Sequence, residues 1–203
     1  MALQISLSTV KAQLSTFISE SGGCKASMDA INNNYIAATD AEWNTPAAAT
    51  YIDGLCSAFN NYIQQFNQYY QEGVDSFVEG VNELARHEDA SPVPSQTVEK
   101  LTELTKSWAG QEEDFNIPED YAGFTSSNLT SNINELVSHI ESMQQCIDVA
   151  VDNGLNGAFC TQLRGSLEKL KTSATEVAQE YNGKAAERAV NQDTAIQTIK
   201  SNT

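Results

Sequence analysis

The strongest constraint on the fold is a run of apolar positions at alternating steps of three and four near the start of the chain. The run comprises Leu7, Val10, Leu14, Phe17, Ser21, Cys24, Met28, Ile31 and Tyr35. Such spacing lines up side chains on one face of an α-helix, as in a coiled-coil seam. Gly22 and Gly23 cost about 1 kcal/mol each relative to alanine and mark a candidate bend. We predict a long amphipathic helix that must bury this face against a partner.

A second helix of the same kind is predicted from Pro46 to about Glu88. Thr45 is a natural N-cap, and Pro46 stands at the first helical position, where proline is best tolerated. The apolar face comprises Ile52, Leu55, Phe59, Tyr62, Phe66, Tyr69 or Tyr70, Val74, Phe77, Val81 and Leu84. Because only a short turn separates the two helices, we expect them to run antiparallel as a first helical hairpin, residues 1–90.

Residues 91–128 are predicted to link this hairpin to the rest of the chain. Pro92 and Pro94 cannot continue a helix, so a boundary falls here. A short helix is predicted across residues 97–107, with an apolar face formed by Val98, Leu101 and Leu104. The segment 110–127 has no apolar period and indicates an irregular connector.

The helical pattern returns over residues 129–203 and predicts a second hairpin. The first of its helices carries Leu129, Ile133, Leu136, Ile140, Met143, Ile147 and Ala150 or Val151. After a turn at 153–157, the next carries Leu163, Leu167, Leu170, Ala174, Val177, Tyr181, Ala185, Ala189, Ile196 and Ile199. We therefore predict an all-α fold in which two long antiparallel hairpins form an elongated, four-helix-bundle-like structure. A short helix and an irregular connector lie between them.

The charge balance excludes several classes of partner. The 203 residues include 27 acidic and 11 basic ones, a formal net charge of −16. Nucleic acids and anionic lipids both require a basic footprint, so neither is expected as a partner. No apolar run approaches the roughly 20 residues that span a bilayer, so membrane insertion is not expected. The N-terminus lacks a basic region followed by an apolar stretch, so we expect no Sec-type signal peptide.

The sequence offers little material for catalysis, and we predict that the protein is not an enzyme and uses no cofactor or metal. His87 and His139 lie far apart, and neither is tied by spacing to a nucleophile or a carboxylate. An acidic loop consists of Glu112, Glu113, Asp114, Glu119 and Asp120. It lacks the ligand spacing and central glycine of a calcium loop, so a solvated connector is the preferred interpretation.

Four cysteines are placed symmetrically about the predicted turns. Cys24 and Cys56 are equally far from residue 40, and Cys146 and Cys160 are equally far from residue 153. Facing positions of a hairpin are equidistant from its turn, so the preferred disulfide pairing joins each hairpin to itself. Two intact disulfides would place the working protein outside the reducing cytosol. The alternative is that the cysteines are free thiols packed as small apolar residues.

The first hairpin resembles the WXG proteins of type VII secretion. The resemblance rests on the bend Trp43-Asn44-Thr45 and on the small residues Ala47, Ala48 and Ala49 that follow it. The family has Trp-x-Gly in this bend; here Thr45 replaces the glycine and caps the helix. The family's C-terminal Tyr-x-x-x-Asp/Glu export signature is absent. A literal Trp-x-Gly at residues 108–110 is interpreted as coincidence, because no long amphipathic helix follows it.

The resemblance implies a secreted, non-enzymatic protein that acts through helix–helix contacts, as a type VII secretion substrate or as a partner or adaptor. It implies a cytoplasmic stage followed by export to the exterior or cell surface without a signal peptide. The implied partner is the secretion apparatus or a co-secreted helical protein, and the two hairpins in tandem imply a monomer or a weak homodimer. The alternative is a structural or adaptor helical bundle unrelated to type VII secretion, such as a phage or envelope assembly component.

Candidate recognition residues lie in the bend and on the second helix. Trp43, with Asn44 and Thr45, either closes the end of the bundle or is presented to the export machinery, and the two roles are compatible. The aromatic residues of the second helix form the core or a partner-binding stripe, and helical spacing favours the core. Tyr69 and Tyr70 are adjacent, so one of them must point away from the seam and is the more exposed.

Overall fold

The computed structural model describes residues 5–201, except for the side chains of Ala185, Gln192, Ala195, Ile196 and Ile199. Throughout this part of the chain the regular structure is helical, with no β-strand, which confirms the predicted all-α class. The predicted seam positions Ala185, Ile196 and Ile199 fall outside the described side chains. The helices are α1 (Leu7–Ala30), α2 (Ala37–Glu42), α3 (Pro46–His87), α4 (Tyr121–Thr125), α5 (Ser131–Asp152) and α6 (Ala158–Ser201).

Two π-helical segments join helices without breaking them. Ile31–Ile36 joins α1 to α2, and Ser126–Thr130 joins α4 to α5. The two segments contact each other, and the ring centroids of Tyr35 and Phe124 beside them are 5.5 Å apart. A π turn adds a residue to the helical repeat, so the side chains that follow it are shifted in phase.

α1 continues as an α-helix through Gly22 and Gly23, the candidate bend positions. Gly23 has a packing role. A Cβ atom there would come within 2.4 Å of the imidazole of His139 on α5. The same imidazole bonds Glu20 on α1, with 2.7 Å between Nδ1 and Oε2. The glycine therefore lets α1 and α5 approach closely around this histidine.

Each long helix of the first half packs most closely on one helix of the second half. α1 lies against α5, α3 lies against α6, and α5 also lies against α6, whereas α1 and α3 approach less closely. α3 and α6 run antiparallel. The facing pairs are Gly54 with Tyr181, Gly73 with Leu163 and Gly80 with Leu155, so facing residues have numbers that add to 235 or 236. One continuous hydrophobic core draws buried residues from α1, α3, α5 and α6.

Residues 91–111, termed the strap, lie along α1 and α3 and are held by carboxamide side chains. Asn60 is the clearest rung. Its Oδ1 accepts from the N–H of Leu104 at 2.7 Å, and its Nδ2 donates to the carbonyl of the same residue at 2.8 Å. The other rungs are Asn67 to Leu101, Asn82 to Val93, Gln71 to Gln96 and Val98, and Asn32 to Glu103 and Thr105. These side chains give the strap the backbone partners that a helix or sheet would otherwise supply.

The prediction of a short helix across residues 97–107 is wrong, because this part of the strap is extended. From Asn60 to Asn82 the helix rises about 33 Å, and the paired strap residues from Leu104 to Val93 cover that length in eleven steps. About 3 Å per residue is the rise of a polyproline-type strand, which also repeats every three residues. The period of three that suggested a helix thus arises from a strand whose Leu101 and Leu104 are buried in the core.

The predicted irregular connector ends earlier than expected, because helical structure begins at Tyr121. Asp120 is the reason. Its Oδ1 accepts from the N–H of Gly123 at 2.8 Å, which caps the first turn of α4. Of the acidic loop, Glu112, Glu113 and Asp114 are exposed, as expected for a solvated connector.

The predicted disulfides are not formed: Cys24, Cys56, Cys146 and Cys160 are buried free thiols. In the first half, ring contacts join Phe17 to Tyr70 and Phe77, and the Tyr35 and Tyr51 hydroxyls are bonded. The numbers of these three pairs add to 87, 94 and 86. Even at the smallest sum Cys24 faces residue 62, so Cys56 lies about six residues or more, at least about 9 Å, from the level of Cys24.

The second half has the same offset. Contacts of Thr130 with Asn182 and of Glu141 with Lys171 mean that facing residues of α5 and α6 have numbers that add to 312. Cys146 then faces residue 166, about 9 Å along the axis from Cys160. A disulfide needs Cα atoms within about 7 Å, so neither predicted pair can bridge. The prediction placed both turn centres several residues too early. In the first half, the helical structure before the turn continues to Glu42, the last residue of α2.

The carboxamide rungs can be tested with a matched pair of neighbours on α3. Asn60→Ala leaves the N–H and C=O of Leu104 without their partner, so we expect a loss of about 1–3 kcal/mol in the free energy of unfolding. Asn61→Ala, at an exposed position, should change it by less than about 0.5 kcal/mol. Urea denaturation measures both values, and equal effects would contradict the role assigned to Asn60.

The buried thiols predict alkaline destabilisation. Burial, assisted by the charge of Glu20, raises the pKa of Cys24 from 9.0 to about 12. The unfolded chain then loses the proton first, so this contribution to stability is complete below pH 9 and is lost as pH rises toward 12. Urea denaturation over a pH series should find that Cys24→Ala loses stability less steeply in that interval. Parallel curves for the two proteins would contradict the assignment.

Candidate functional site

Trp43 lies at the centre of an aromatic cluster that closes one end of the helices. Its side chain is 1% exposed, and its ring centroid is 4.5 Å from that of Tyr121 and 5.2 Å from that of Tyr51. The guanidinium carbon of Arg188 lies 5.6 Å from the Trp43 ring, within cation–π range. These residues, with Trp108, are termed the bend cluster. The indole therefore closes the end of the helices and has almost no surface left for a partner.

The bend is fixed by hydrogen bonds from both remaining motif positions. Thr45 caps α3, with 3.1 Å between its Oγ1 and the backbone nitrogen of Ala48. Asn44 ties the bend to the last residue of the strap and to the chain that follows it. Its Oδ1 accepts from the N–H of Asn116 at 2.7 Å, and its carbonyl accepts from Gln111 at 2.6 Å. The turn is thus capped by Thr45 and anchored by Asn44.

The second Trp-x-Gly, interpreted from sequence as coincidence, takes part in the bend. Trp108 donates from Nε1 to the carbonyl of Ile36 at 3.1 Å and packs against the other members of the bend cluster. A Cβ atom on Gly110 would lie 2.4 Å from the Cα of Pro46, so only glycine fits beside the start of α3. Sequence reasoning missed this contact because it joins segments more than sixty residues apart.

A group of buried tyrosine hydroxyls lies beside the bend cluster. The hydroxyls of Tyr35 and Tyr51 are 3.2 Å apart, and that of Tyr51 lies 3.4 Å from the carbonyl oxygen of Tyr181. Burial raises the pKa of Tyr51 and of Tyr121, and the Tyr121 hydroxyl has no hydrogen-bond partner among the described residues. Neutral, buried phenols of this kind pack and orient the helices.

The exposed tyrosine is Tyr69, which is 50% exposed, whereas Tyr70 is 1% exposed. The ring of Tyr70 stacks on Phe66 in the core, at 4.8 Å between centroids. This confirms that one member of the adjacent pair points away from the seam. Tyr69 instead lines an open groove of about 640 Å³ between α3 and α6.

The α3/α6 groove has charged rims and a small-residue floor. Glu72 stands on α3, Lys169 on α6, and Gly73 and Gly165 lie between. Neither charge forms an ion pair within the described part of the chain. A Cβ atom on Gly165 would meet nothing within 4 Å, so the groove is open at this point. An aromatic side chain beside such a depression is the arrangement that interface hot spots use.

The remaining predicted sites stay apart. His139 pairs with Glu20 at the α1–α5 contact, and His87 is the last residue of α3. Among residues 5–201, no group of three or more histidine, cysteine or acidic side chains could hold a metal ion. No described helix is both long and apolar enough to cross a membrane.

Comparison with protein-family models, with curated proteins and with solved structures finds no match to this chain. The functional inference therefore rests on two features of the molecule, the bend cluster and the α3/α6 groove.

The two features should respond differently to alanine substitution. Trp43→Ala removes a fully buried indole and should cost about 3–5 kcal/mol in the free energy of unfolding. Tyr69→Ala removes a half-exposed ring and should cost less than about 0.5 kcal/mol. Urea denaturation of both variants tests this, and a stable Trp43→Ala protein would contradict the closing role of the bend cluster.

Proposed function

We propose that this chain is a non-enzymatic helical protein, similar to a tandem WXG protein, that is exported by type VII secretion as a substrate, partner or adaptor. It acts through helix–helix contacts with the secretion apparatus or a co-secreted helical protein. The observation that carries the proposal is Tyr69, half exposed in the open α3/α6 groove, while Tyr70 next to it is buried. Rims of opposite charge, Glu72 and Lys169, and a glycine floor suit a second helical surface.

The proposed architecture is two hairpins packed as one elongated, four-helix-bundle-like unit. The long helices of each half lie against those of the other, which supports burial of the apolar faces within one chain. Because each half of the chain supplies the apolar face that the other half needs, a monomer or a weak homodimer is favoured. A net charge of −16 supports solubility before and after export, and it disfavours nucleic acid as a partner.

The proposed recognition residues divide into two roles. Trp43, Asn44, Thr45 and Tyr70 support the shape of the bend and the core, since their side chains are engaged inside the protein. Tyr69 supplies direct contact. The secretion apparatus would then recognise the outer surface of an ordered bend, not the indole ring.

The alternative function is a structural or adaptor bundle unrelated to type VII secretion. The strap supports this alternative, because its rungs hold it along α3 from Asn60 to Asn82 and tie it to Asn32 in the preceding π segment. Recovery of the protein in assembled particles or envelope fractions, with no dependence on a type VII ATPase, would favour this reading.

Export gives the direct test. The native protein should reach the culture supernatant in cells with an intact type VII ATPase and remain cytoplasmic in cells that lack it. Tyr69→Ala should reduce export or partner capture, while Val151→Ala, a control at a 41% exposed position on α5, should behave as wild type. Export that persists without the ATPase would overturn the proposal.

A further inference from the structure

We propose that the α3/α6 groove binds the same groove of a second copy of this chain, forming a two-fold dimer centred on Tyr69. This inference rests on the proposed function in one respect, that the groove is a contact surface. The positions of Glu72 and Lys169 on its rims point to a second copy as the partner.

The register of α3 and α6 places these charges symmetrically about the tyrosine. Lys169 faces Phe66, since facing residues of the two helices have numbers that add to 235 or 236. Glu72 lies six residues, or about 9 Å, further along α3. Tyr69 is midway between these two levels.

A two-fold axis can therefore exchange the two charges. The axis lies in the plane of the interface, crosses the midpoint between Glu72 and Lys169 and is perpendicular to the line that joins them. It brings Glu72 of each copy opposite Lys169 of the other, so both rim charges meet an opposite charge. No rim charge meets its like, which is the self-complementarity that an isologous interface requires.

The aromatic ring and the glycines complete the fit. The axis passes at the level of Tyr69, so the exposed rings of both copies lie near it. Gly165 leaves open space on the facing helix, into which the ring of the second copy can enter. A hot-spot aromatic in a desolvated depression, with charges at the rim, is the usual anatomy of a small specific interface.

The net charge of each copy opposes association but does not prevent it. Two chains of −16 repel at long range. At an ionic strength of about 0.15 M the Debye length is about 8 Å, so acids remote from the groove are screened. The dimer should therefore be weak and should form at high protein concentration in this salt.

Light scattering coupled to size-exclusion chromatography, over a protein concentration series at this ionic strength, tests the dimer. The native chain should shift from monomer to dimer as its concentration rises. Tyr69→Ala should remain monomeric. Glu72→Lys and Lys169→Glu should each raise the dimer dissociation constant about tenfold or more, because each change places two like-charge pairs in the interface.

The double variant Glu72→Lys with Lys169→Glu is the decisive protein, because it restores two opposite-charge pairs and should restore dimerisation. Glu135→Lys, at an exposed position on α5, controls for the change in net charge. Circular dichroism and urea denaturation verify that every variant is folded. A native chain that stays monomeric, single reversals that match Glu135→Lys, or a double variant that stays monomeric would each overturn the inference.

The outcomes separate this inference from the proposed function. If the chain is monomeric while Tyr69→Ala still blocks export, the groove serves another protein, and only the dimer is overturned. If the charge-reversal variants change dimerisation as expected while export is independent of the type VII ATPase, the dimer is supported and the proposed function is overturned.

Discussion

Backbone hydrogen bonding in the strap is the constraint on which the arrangement of the first half depends. A non-helical segment that buries Leu101 and Leu104 must still find partners for its amide groups, and residues 5–201 contain no sheet to supply them. Side-chain carboxamides on α3 and the first π segment take that place. The strap also contacts α1, where Lys11 donates to the carbonyl of Ser91, and α1 and α3 approach each other less closely than either approaches the second half.

Much of the helical structure could be predicted from the sequence, because it depends on local pattern. Apolar periodicity identified the long helices, Thr45 and Pro46 identified the start of α3, and the adjacent tyrosines predicted one exposed ring. These features follow from the geometry of a single helix. They require no knowledge of how distant segments meet.

What could not be predicted depends on contacts between distant segments or on small shifts in register. The strap was misread because helices and polyproline strands share a period near three, and only its partners on α3 distinguish them. Its rungs at Asn60, Asn67 and Gln71 do share one helical face, which is a signal visible in the sequence. The predicted disulfide pairing was wrong because the turn centres were placed about three residues too early. This error displaces the facing positions by about six residues, or about 9 Å along the helices. Trp108 has no local signal that links it to the bend.

The rungs of the strap have a consequence for how its sequence can change. Each rung bonds main-chain atoms of the strap, so it does not depend on the strap side chain at that position. Proline is excluded where a strap N–H is donated, as at Val98 and Leu101. The strap side chains that matter to the fold are the buried Leu101 and Leu104, Trp108 in the bend cluster, and Gly110, where only glycine fits. The other strap positions should therefore tolerate divergence, while the carboxamides of α3 stay fixed.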